Sequence, residues 1–256
     1  MNNTDLITLS QEGDAVRLVL QRPPLNLLSL DLLRRFEEHL ENLARESKAR
    51  ALVIDTEFPV FCAGLEPSEL TRERVFLLLE QFHRTARQLC NHPRPTIALV
   101  RGMALGAGNE LAACCDFVLA SEKASFGQPE IKIGGIPSLA PMLLPSLVGQ
   151  RRALEMILTG KFIGAKEAVR VGLINRVLPE DQLLKAAAEL VGTFRSLSNA
   201  VIEVALQSVR TSRIREWDRH VRDAESLYLN DLMELDDAVE GVRAFVEKRP
   251  PRWKDQ

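Results

Sequence analysis

The stretch Thr96-Ile-Ala-Leu-Val-Arg-Gly-Met-Ala-Leu-Gly-Ala-Gly-Asn-Glu-Leu-Ala-Ala-Cys-Cys-Asp-Phe-Val-Leu-Ala120 decides the fold class. Its first five residues and its last four are short apolar runs that predict buried β-strands. Between them, glycines at 102, 106 and 108 indicate a tight turn, and an apolar helix is predicted to begin near Glu110. A strand, a glycine turn, a helix and a second strand together predict an α/β layered domain.

The same alternation extends outward from this stretch. Further strands are predicted at Ala15–Leu20 and Ala51–Ile54, and the helices expected from apolar spacing are Leu30–Leu43 (with Ser29 as its cap), Val75–Leu89, Arg151–Leu158 and Ala165–Gly172. From Leu183 onward the chain becomes strongly charged and is predicted to be entirely helical. We therefore expect a core domain over residues 1–182 and a helical region over residues 183–256.

Composition excludes several classes of protein. The 256 residues are 46% apolar and 27% charged, with a net charge of −2, so no excess of basic charge favours nucleic acid or a membrane surface. No apolar run approaches the about 18 residues of a membrane span. The start, Met1-Asn-Asn-Thr-Asp-Leu6, lacks the features of a signal peptide, so we expect a cytoplasmic protein. The four cysteines have no zinc-ligand spacing and are expected to be reduced thiols, with no metal bound.

The glycine turn itself suggests chemistry. Its G-x₃-G-x-G spacing differs from a dinucleotide fingerprint, and no phosphate-binding G-K-[ST] follows. One interpretation is purely structural, a tight connection between strand and helix. The other is that N–H groups at the helix start face a developing negative charge, as in an oxyanion hole. A second donor would then come from Cys62-Ala-Gly-Leu65, another glycine turn after a strand.

Two glutamates in glycine-rich contexts complete the pattern, Glu110 and Glu130 in Phe126-Gly-Gln-Pro-Glu130. A carboxylate among apolar neighbours is costly to bury, so its pKa rises or it finds a partner. Two such groups beside one pocket can share a water, one accepting a proton while the other donates. The alternative for Glu110 is a carboxylate that stabilises the first turn of a helix.

With these motifs the chain resembles the enoyl-CoA hydratase/isomerase (crotonase) superfamily over nearly its whole length. The matching segments are Arg22-Pro-Pro-Leu-Asn26, Phe61-Cys-Ala-Gly64, Ala104-Leu-Gly-Ala-Gly-Asn-Glu110, Cys115-Asp116, Phe126-Gly-Gln-Pro-Glu130, Leu158-Thr-Gly160, Ala165 with Glu167-Ala168, Gly172-Leu-Ile-Asn175 and Ala244-Phe-Val-Glu-Lys-Arg249. The resemblance implies a spiral core of ββα repeats and a C-terminal helical trimerisation region, in a homotrimer or a hexamer.

The resemblance also implies residue roles. The oxyanion donors would be the backbone N–H groups of Leu65 and Ala107, and Glu110 and Glu130 would hold the water that adds to an α,β-unsaturated acyl-CoA. Glu130 would give a proton to the α-carbon. Coenzyme A is then part of the substrate and no separate cofactor is expected. Two alternatives stay open: a Δ3,Δ2-enoyl-CoA isomerase, and a non-catalytic member that only binds acyl-CoA.

Further site residues follow from the same resemblance. Contacts to the substrate or to coenzyme A are expected from Cys62, Ala63, Gly64, Glu66, Ser68, Gly106 and Lys248. Where the family commonly continues Gly-x-Gly-Gly, this chain has Ser138-Leu-Ala-Pro141, so Pro137, Ser138 and Leu139 are expected to reshape the acyl pocket. The Arg-Pro-Pro-Leu-Asn segment, Phe82-His83 and Leu143-Leu-Pro145 are similar to hydratases of cyclic dienoyl-CoA thioesters.

Overall fold

The computed structural model describes residues 6–46 and 48–255. Residues 1–5, to which the signal-peptide prediction mainly applies, lie outside the described residues. The strands are β1 (Ile7–Glu12), β2 (Ala15–Leu20), β3 (Ala51–Thr56), β4 (Val60–Cys62), β5 (Thr96–Val100), β6 (Met103–Leu105), β7 (Phe117–Ser121), β8 (Ser125–Gly127), β9 (Ile163–Gly164) and β10 (Arg176–Leu178). The α-helices are α1 (Leu30–Glu46), α2 (Val75–Cys90), α3 (Ala107–Cys114), α4 (Ala140–Val148), α5 (Gln150–Thr159), α6 (Ala165–Arg170), α7 (Leu183–Phe194), α8 (Asn199–Ser226) and α9 (Asp236–Val246).

Two sheets are built from repeated pairs of strands. The larger sheet has the order β1-β2-β3-β5-β7-β10, and the smaller one has the order β4-β6-β8-β9. Successive pairs (β3 with β4, β5 with β6, β7 with β8) each give one strand to each sheet, and the strands of successive pairs are parallel. A helix follows each pair. The α/β class predicted from the sequence pattern is confirmed, and so are the ββα repeats that the family resemblance implies.

The larger sheet is buried on both faces, which explains why its strands are continuous apolar runs. Ile54, Ala98 and Val118 face the main core, whereas their neighbours, such as Val53 and Ile97, belong to a second cluster on the opposite face. Helix α7 covers that second face through residues such as Leu183 and Ala187. A helix from the predicted C-terminal region, residues 183–256, therefore covers part of the sheet of the predicted core domain. The division into two regions at residue 182 stays a prediction.

The C-terminal helices fold back over the core. Arg210 of α8 is buried and forms an ion pair with Asp116, which precedes β7. After α8 the chain continues as a π-helical turn, Leu227–Leu232, and then as α9. Among residues 6–46 and 48–255, no helix is both long enough and apolar enough to cross a membrane.

Most predicted elements are confirmed, with corrections at their ends. The strand at Thr96–Val100 has the predicted bounds, and Ser29 Oγ accepts the Leu32 N–H at the start of α1. The helix expected to begin near Glu110 begins three residues earlier, because Gly106 caps it with a positive φ of 55°. The four cysteines are buried and free, as expected.

Candidate active site

A cavity of about 400 Å³ lies between the N-terminal end of α3 and the C-terminal helices. One wall consists of the segment after β4 and the start of α3, and the opposite wall consists of the π-helical turn and α9. The 3-10 turn Glu130–Ile133 and the segment leading to α4 close the space between them. Most of the lining is apolar, and the few polar groups therefore stand out.

Two backbone N–H groups on the first wall have no acceptor among the residues that the structure describes. The neighbouring N–H groups are engaged, since Ala63 donates to Leu25 O at 3.0 Å, Glu66 to Leu28 O at 3.1 Å and Gly106 to Gly127 O at 2.9 Å. Neither Leu65 nor Ala107 donates from its backbone nitrogen to another described residue, and both line the cavity. Buried N–H groups are nearly always paired, so two free ones beside a cavity indicate a site for an anionic or carbonyl oxygen.

Glycines bring these two segments together. Gly64 has a φ of 117°, a backbone conformation that a residue with a side chain rarely adopts. A Cβ on Gly108 would lie 2.2 Å from the Cys62 carbonyl oxygen, and one on Gly106 would lie 2.6 Å from Glu130 Oε1. A side chain at position 108 would push the start of α3 away from the segment after β4 and so separate the two N–H groups, whereas glycine is favoured at positions 64 and 106 by the positive φ angles.

Glu110 lies in the first turn of α3 and is 2% exposed. Its Oε1 accepts the backbone N–H of Leu139 at 2.7 Å and that of Ala140, at the start of α4, at 2.6 Å. Burial raises the pKa of Glu110 from its ordinary value to about 7, although these N–H groups, together with that of Ser138, lower it in part. Glu110 Oε2 has no protein partner among the described residues and remains available to a ligand or a water.

Glu130 follows Pro129 in the 3-10 turn and faces the same cavity, to which part of its surface remains open. Burial of the carboxyl, followed by the nearby charge of Glu110, raises its pKa to about 8. With the amide oriented to satisfy its hydrogen bonds, Gln128 donates to Glu130 Oε1 at 3.2 Å and to Gly106 O at 3.3 Å. Because the charge of Glu110 raises the pKa of Glu130, the two carboxyl groups interact and titrate as a pair. Both pKa values lie above the usual range of glutamate.

The structure places the other predicted residues in several environments. Ala63, Gly64, Gly106, Pro137 and Ser138 line the cavity with the two glutamates. The Leu139 side chain lies in the core instead, while its backbone N–H binds Glu110. Cys62 is also in the core, and burial raises the pKa of its thiol to about 12.

Glu66, Ser68 and Lys248 lie away from the glutamates. Glu66 forms an ion pair with Arg22 at 2.6 Å and accepts the Ser68 hydroxyl at 2.9 Å. Ser68 lines a neighbouring, larger cleft between the segment after β4 and α9. Lys248 is exposed just after α9 and lines neither cavity.

The Arg22-Pro-Pro-Leu-Asn26 segment supports the first wall. Asn26 is fully buried, and its Nδ2 donates to Thr56 Oγ1 at 2.7 Å and to Val60 O at 3.0 Å. Its Oδ1 accepts the Arg22 N–H at 2.8 Å. A single side chain thus ties this segment to both ends of the β3–β4 connection, upstream of the free Leu65 N–H.

The second wall was not predicted. Its cavity-lining residues are Tyr228, Leu232, Met233, Ala238, Val242 and Phe245. In the sequence, these residues form an ordinary helical pattern of apolar residues, which carries no sign that it faces a ligand instead of the core. Tyr228 is the one position where a signal was present, because it is the only tyrosine in the chain.

Comparisons with known proteins find relatives that cover nearly the whole chain. The family model described as enoyl-CoA hydratase/isomerase matches residues 11–256. A cyclohexa-1,5-dienecarbonyl-CoA hydratase of Thauera aromatica is 32% identical over 98% of this chain and 96% of its own length. A Bacillus subtilis (strain 168) protein named probable enoyl-CoA hydratase is 31% identical over 98% and 99%. The crystal structure of an enoyl-CoA hydratase from Mycobacterium avium subsp. paratuberculosis K-10 superposes with a TM-score of 0.86 and 26% identity, covering 98% of this chain and 99% of that one.

Proposed function

This chain belongs to the enoyl-CoA hydratase/isomerase family, and we propose that it adds water to the C=C bond of an α,β-unsaturated acyl-CoA thioester. The observation that carries the proposal is one cavity with two free backbone N–H groups on its wall and two carboxyl groups of raised pKa beside them.

In this proposal the thioester oxygen accepts hydrogen bonds from the N–H groups of Leu65 and Ala107. These donors withdraw electrons from the conjugated C=C bond and stabilise the enolate-like charge that develops when the β-carbon is attacked. Such a donor is worth about 3 to 4 kcal/mol in a preorganised site. Because both donors belong to the backbone, alanine at position 107 serves as well as glycine would.

The two glutamates take different roles because their surroundings differ. Glu110 accepts two short backbone hydrogen bonds, which favour its ionised form, so it is the base that takes a proton from the attacking water. Glu130 has weaker donors and lies beside the charge of Glu110, so it keeps its proton and delivers it to the α-carbon. The product is a 3-hydroxyacyl-CoA, and both glutamates return to their starting states by exchange with water.

The remaining expectations belong to the same proposal. The acyl group occupies the apolar cavity beside Pro137 and Ser138, and the coenzyme A moiety, the only cofactor-like group required, leaves past Ala63 and Gly64. Cyclic dienoyl groups are included among the substrates because of the similarity to the Thauera hydratase. A homotrimer or hexamer, contacts from Lys248, and a cytoplasmic location stay part of the proposal.

The test compares Glu110→Gln and Glu130→Gln with the wild type on crotonyl-CoA and on a cyclic dienoyl-CoA, following loss of the enoyl absorbance. Each variant is expected to lower kcat by about 10²- to 10⁴-fold, the usual contribution of an acid or base. Glu80→Gln, on an exposed position of α2, is the matched control and should retain full activity.

Two outcomes would contradict the proposal that this protein is a hydratase. A product that carries no oxygen from labelled solvent water would identify an isomerase, in which one glutamate moves a proton and no water adds. Binding of acyl-CoA without turnover of any substrate in the panel would identify a non-catalytic member.

A further inference from the structure

Tyr228 is a polar group in the cavity for which the mechanism above has no use. It lies on the wall opposite the glutamates and is 6% exposed. Its ring packs with Val75 and Leu79 of α2 and with Met233. These contacts hold the ring in place, as expected for a side chain with a fixed direction.

The π-helical turn explains how this wall is formed. In the turn, the Met233 N–H bonds to Tyr228 O at 3.0 Å, a five-residue spacing. This wider spacing brings residues four and five apart to one face, and Tyr228, Leu232 and Met233 all line the cavity. An ordinary α-helix would turn Met233 or Tyr228 away. Single π-helical turns are frequent at functional sites for this reason.

The Tyr228 hydroxyl has a free hydrogen-bonding capacity. It neither donates to nor accepts from another described residue. Burial, followed by the charges of Glu130 and Glu110, raises the pKa of Tyr228, so the phenol keeps its proton. Tyr228, Glu110 and Glu130 line the same cavity, and among the described residues no hydrogen bond joins the Tyr228 hydroxyl to either carboxyl group, so the hydroxyl is open to a ligand or a water in that cavity. A buried tyrosine hydroxyl normally has a partner.

We propose that the Tyr228 hydroxyl is a third polar group that holds the attacking water and then the β-hydroxyl of the product, an inference that rests on the proposed hydratase function. A water between two carboxyl groups can still rotate, and an acceptor on the opposite wall fixes its second hydrogen. The water gives one proton to Glu110 while its oxygen bonds to the β-carbon, and Glu130 gives its proton to the α-carbon. Tyr228 exchanges no proton, and the other residues of its wall offer no comparable group.

The direct test uses the single tyrosine as a probe. Protein labelled with ¹³C at the tyrosine ζ carbon gives one tyrosine signal, which we follow while adding either 3-hydroxybutanoyl-CoA or butanoyl-CoA. The two ligands differ only in the β-oxygen. A clear change of the signal with the hydroxyacyl ligand, and little with the saturated one, is expected. Equal changes with both ligands, or none with either when both are shown to bind, would overturn the inference.

Tyr228→Phe tests the catalytic consequence. Losing one hydrogen bond to the water should lower kcat for hydration about tenfold, with KM within about twofold because the acyl contacts remain. Exchange of the α-protons of butanoyl-CoA with solvent, which uses Glu130 and the two N–H groups and no attacking water, should be retained. Leu227→Met, an exposed position in the same turn, is the control and should behave as the wild type.

The outcomes separate the inference from the proposed function. An equal loss of hydration and of α-proton exchange would mean that Tyr228 only supports the structure. An active wild type whose rate is unchanged by Tyr228→Phe would overturn this inference and leave the hydratase intact. An inactive wild type with normal acyl-CoA binding would instead contradict the hydratase itself.

Discussion

The two walls of the cavity are built in different ways. The first wall presents backbone N–H groups, and its shape depends on Gly64 and Gly106, which have positive φ angles, and on Gly108, which allows the start of α3 to approach the segment after β4. The second wall presents side chains from the π-helical turn and α9, and its position depends on packing. The difference suggests that the first wall determines the chemistry, which tolerates little change, whereas the apolar residues of the second wall, Tyr228 excepted, determine which acyl group fits.

The largest expected effect concerns the free-energy cost of burying the Glu130 carboxyl group, which lies beside the first wall. Because the pKa of Glu130 is raised from 4.5 to about 8, the native protein holds a proton that the unfolded chain has already lost in this range. Stability is therefore present at low pH and is lost as the pH rises toward 8. A glutamine at position 130 does not titrate, so Glu130→Gln removes this pH-dependent loss. The free energy of unfolding of the variant, relative to that of the wild type, should therefore increase between pH 4.5 and 8 by on the order of a few kcal/mol.

Urea unfolding at several pH values measures this difference. Because only the change with pH matters, any constant effect of the amide on packing cancels. Glu80→Gln should show no comparable trend, since Glu80 is exposed. A flat difference for Glu130→Gln across this range would mean that Glu130 is not desolvated in the native protein.

The second prediction tests the steric role of glycine in the first wall. In Gly108→Ala the new Cβ would lie 2.2 Å from the Cys62 carbonyl oxygen, so α3 must move away from the segment after β4. A displacement of this kind separates the two N–H donors and should lower kcat by about 100-fold. Gly192→Ala, an exposed position in α7 with open space around it, is the control and should stabilise the protein slightly without changing kcat.

Activity of Gly108→Ala close to the wild-type value would contradict this account of the first wall. It would mean that the N–H groups of Leu65 and Ala107 do not act together on one oxygen. Circular dichroism and unfolding curves of the two alanine variants show whether any loss of rate reflects loss of fold.

The sequence predicts the first wall better than the second for a physical reason. The glycines and glutamates of this part of the site occur close together in the sequence, so each motif can be recognised within about ten residues. Ala104–Glu110 and Phe126–Glu130 are examples. The family resemblance implies the Ala107 N–H as a donor, and among the described residues the structure gives this N–H no acceptor. The strands could be predicted equally well, because burial on both faces requires continuous apolar runs.

Other features depend on residues that are distant in sequence. Leu139 was expected in the acyl pocket, yet its backbone binds Glu110 across 29 positions, and no local pattern encodes that contact. The π-helical turn at Leu227–Leu232 has no recognisable composition, and Tyr228 meets the glutamates only after the chain has folded back. The boundary at residue 183, which the change in composition suggests, and the oligomeric state, which the family resemblance implies, stay predictions.

The smallest expected effect tests the second wall by the same steric argument. A Cβ on Gly241 of α9 would lie 2.4 Å from the Ile133 carbonyl oxygen, so Gly241→Ala pushes α9 away from the 3-10 turn. Val242 and Phe245 would move with it and loosen the acyl cavity. We expect KM to rise about tenfold with a much smaller change in kcat, because ground-state contacts are lost while the first wall is intact. A loss of kcat as large as that of Gly108→Ala would show that the two walls do not divide chemistry and fit between them, and Gly192→Ala again provides the control.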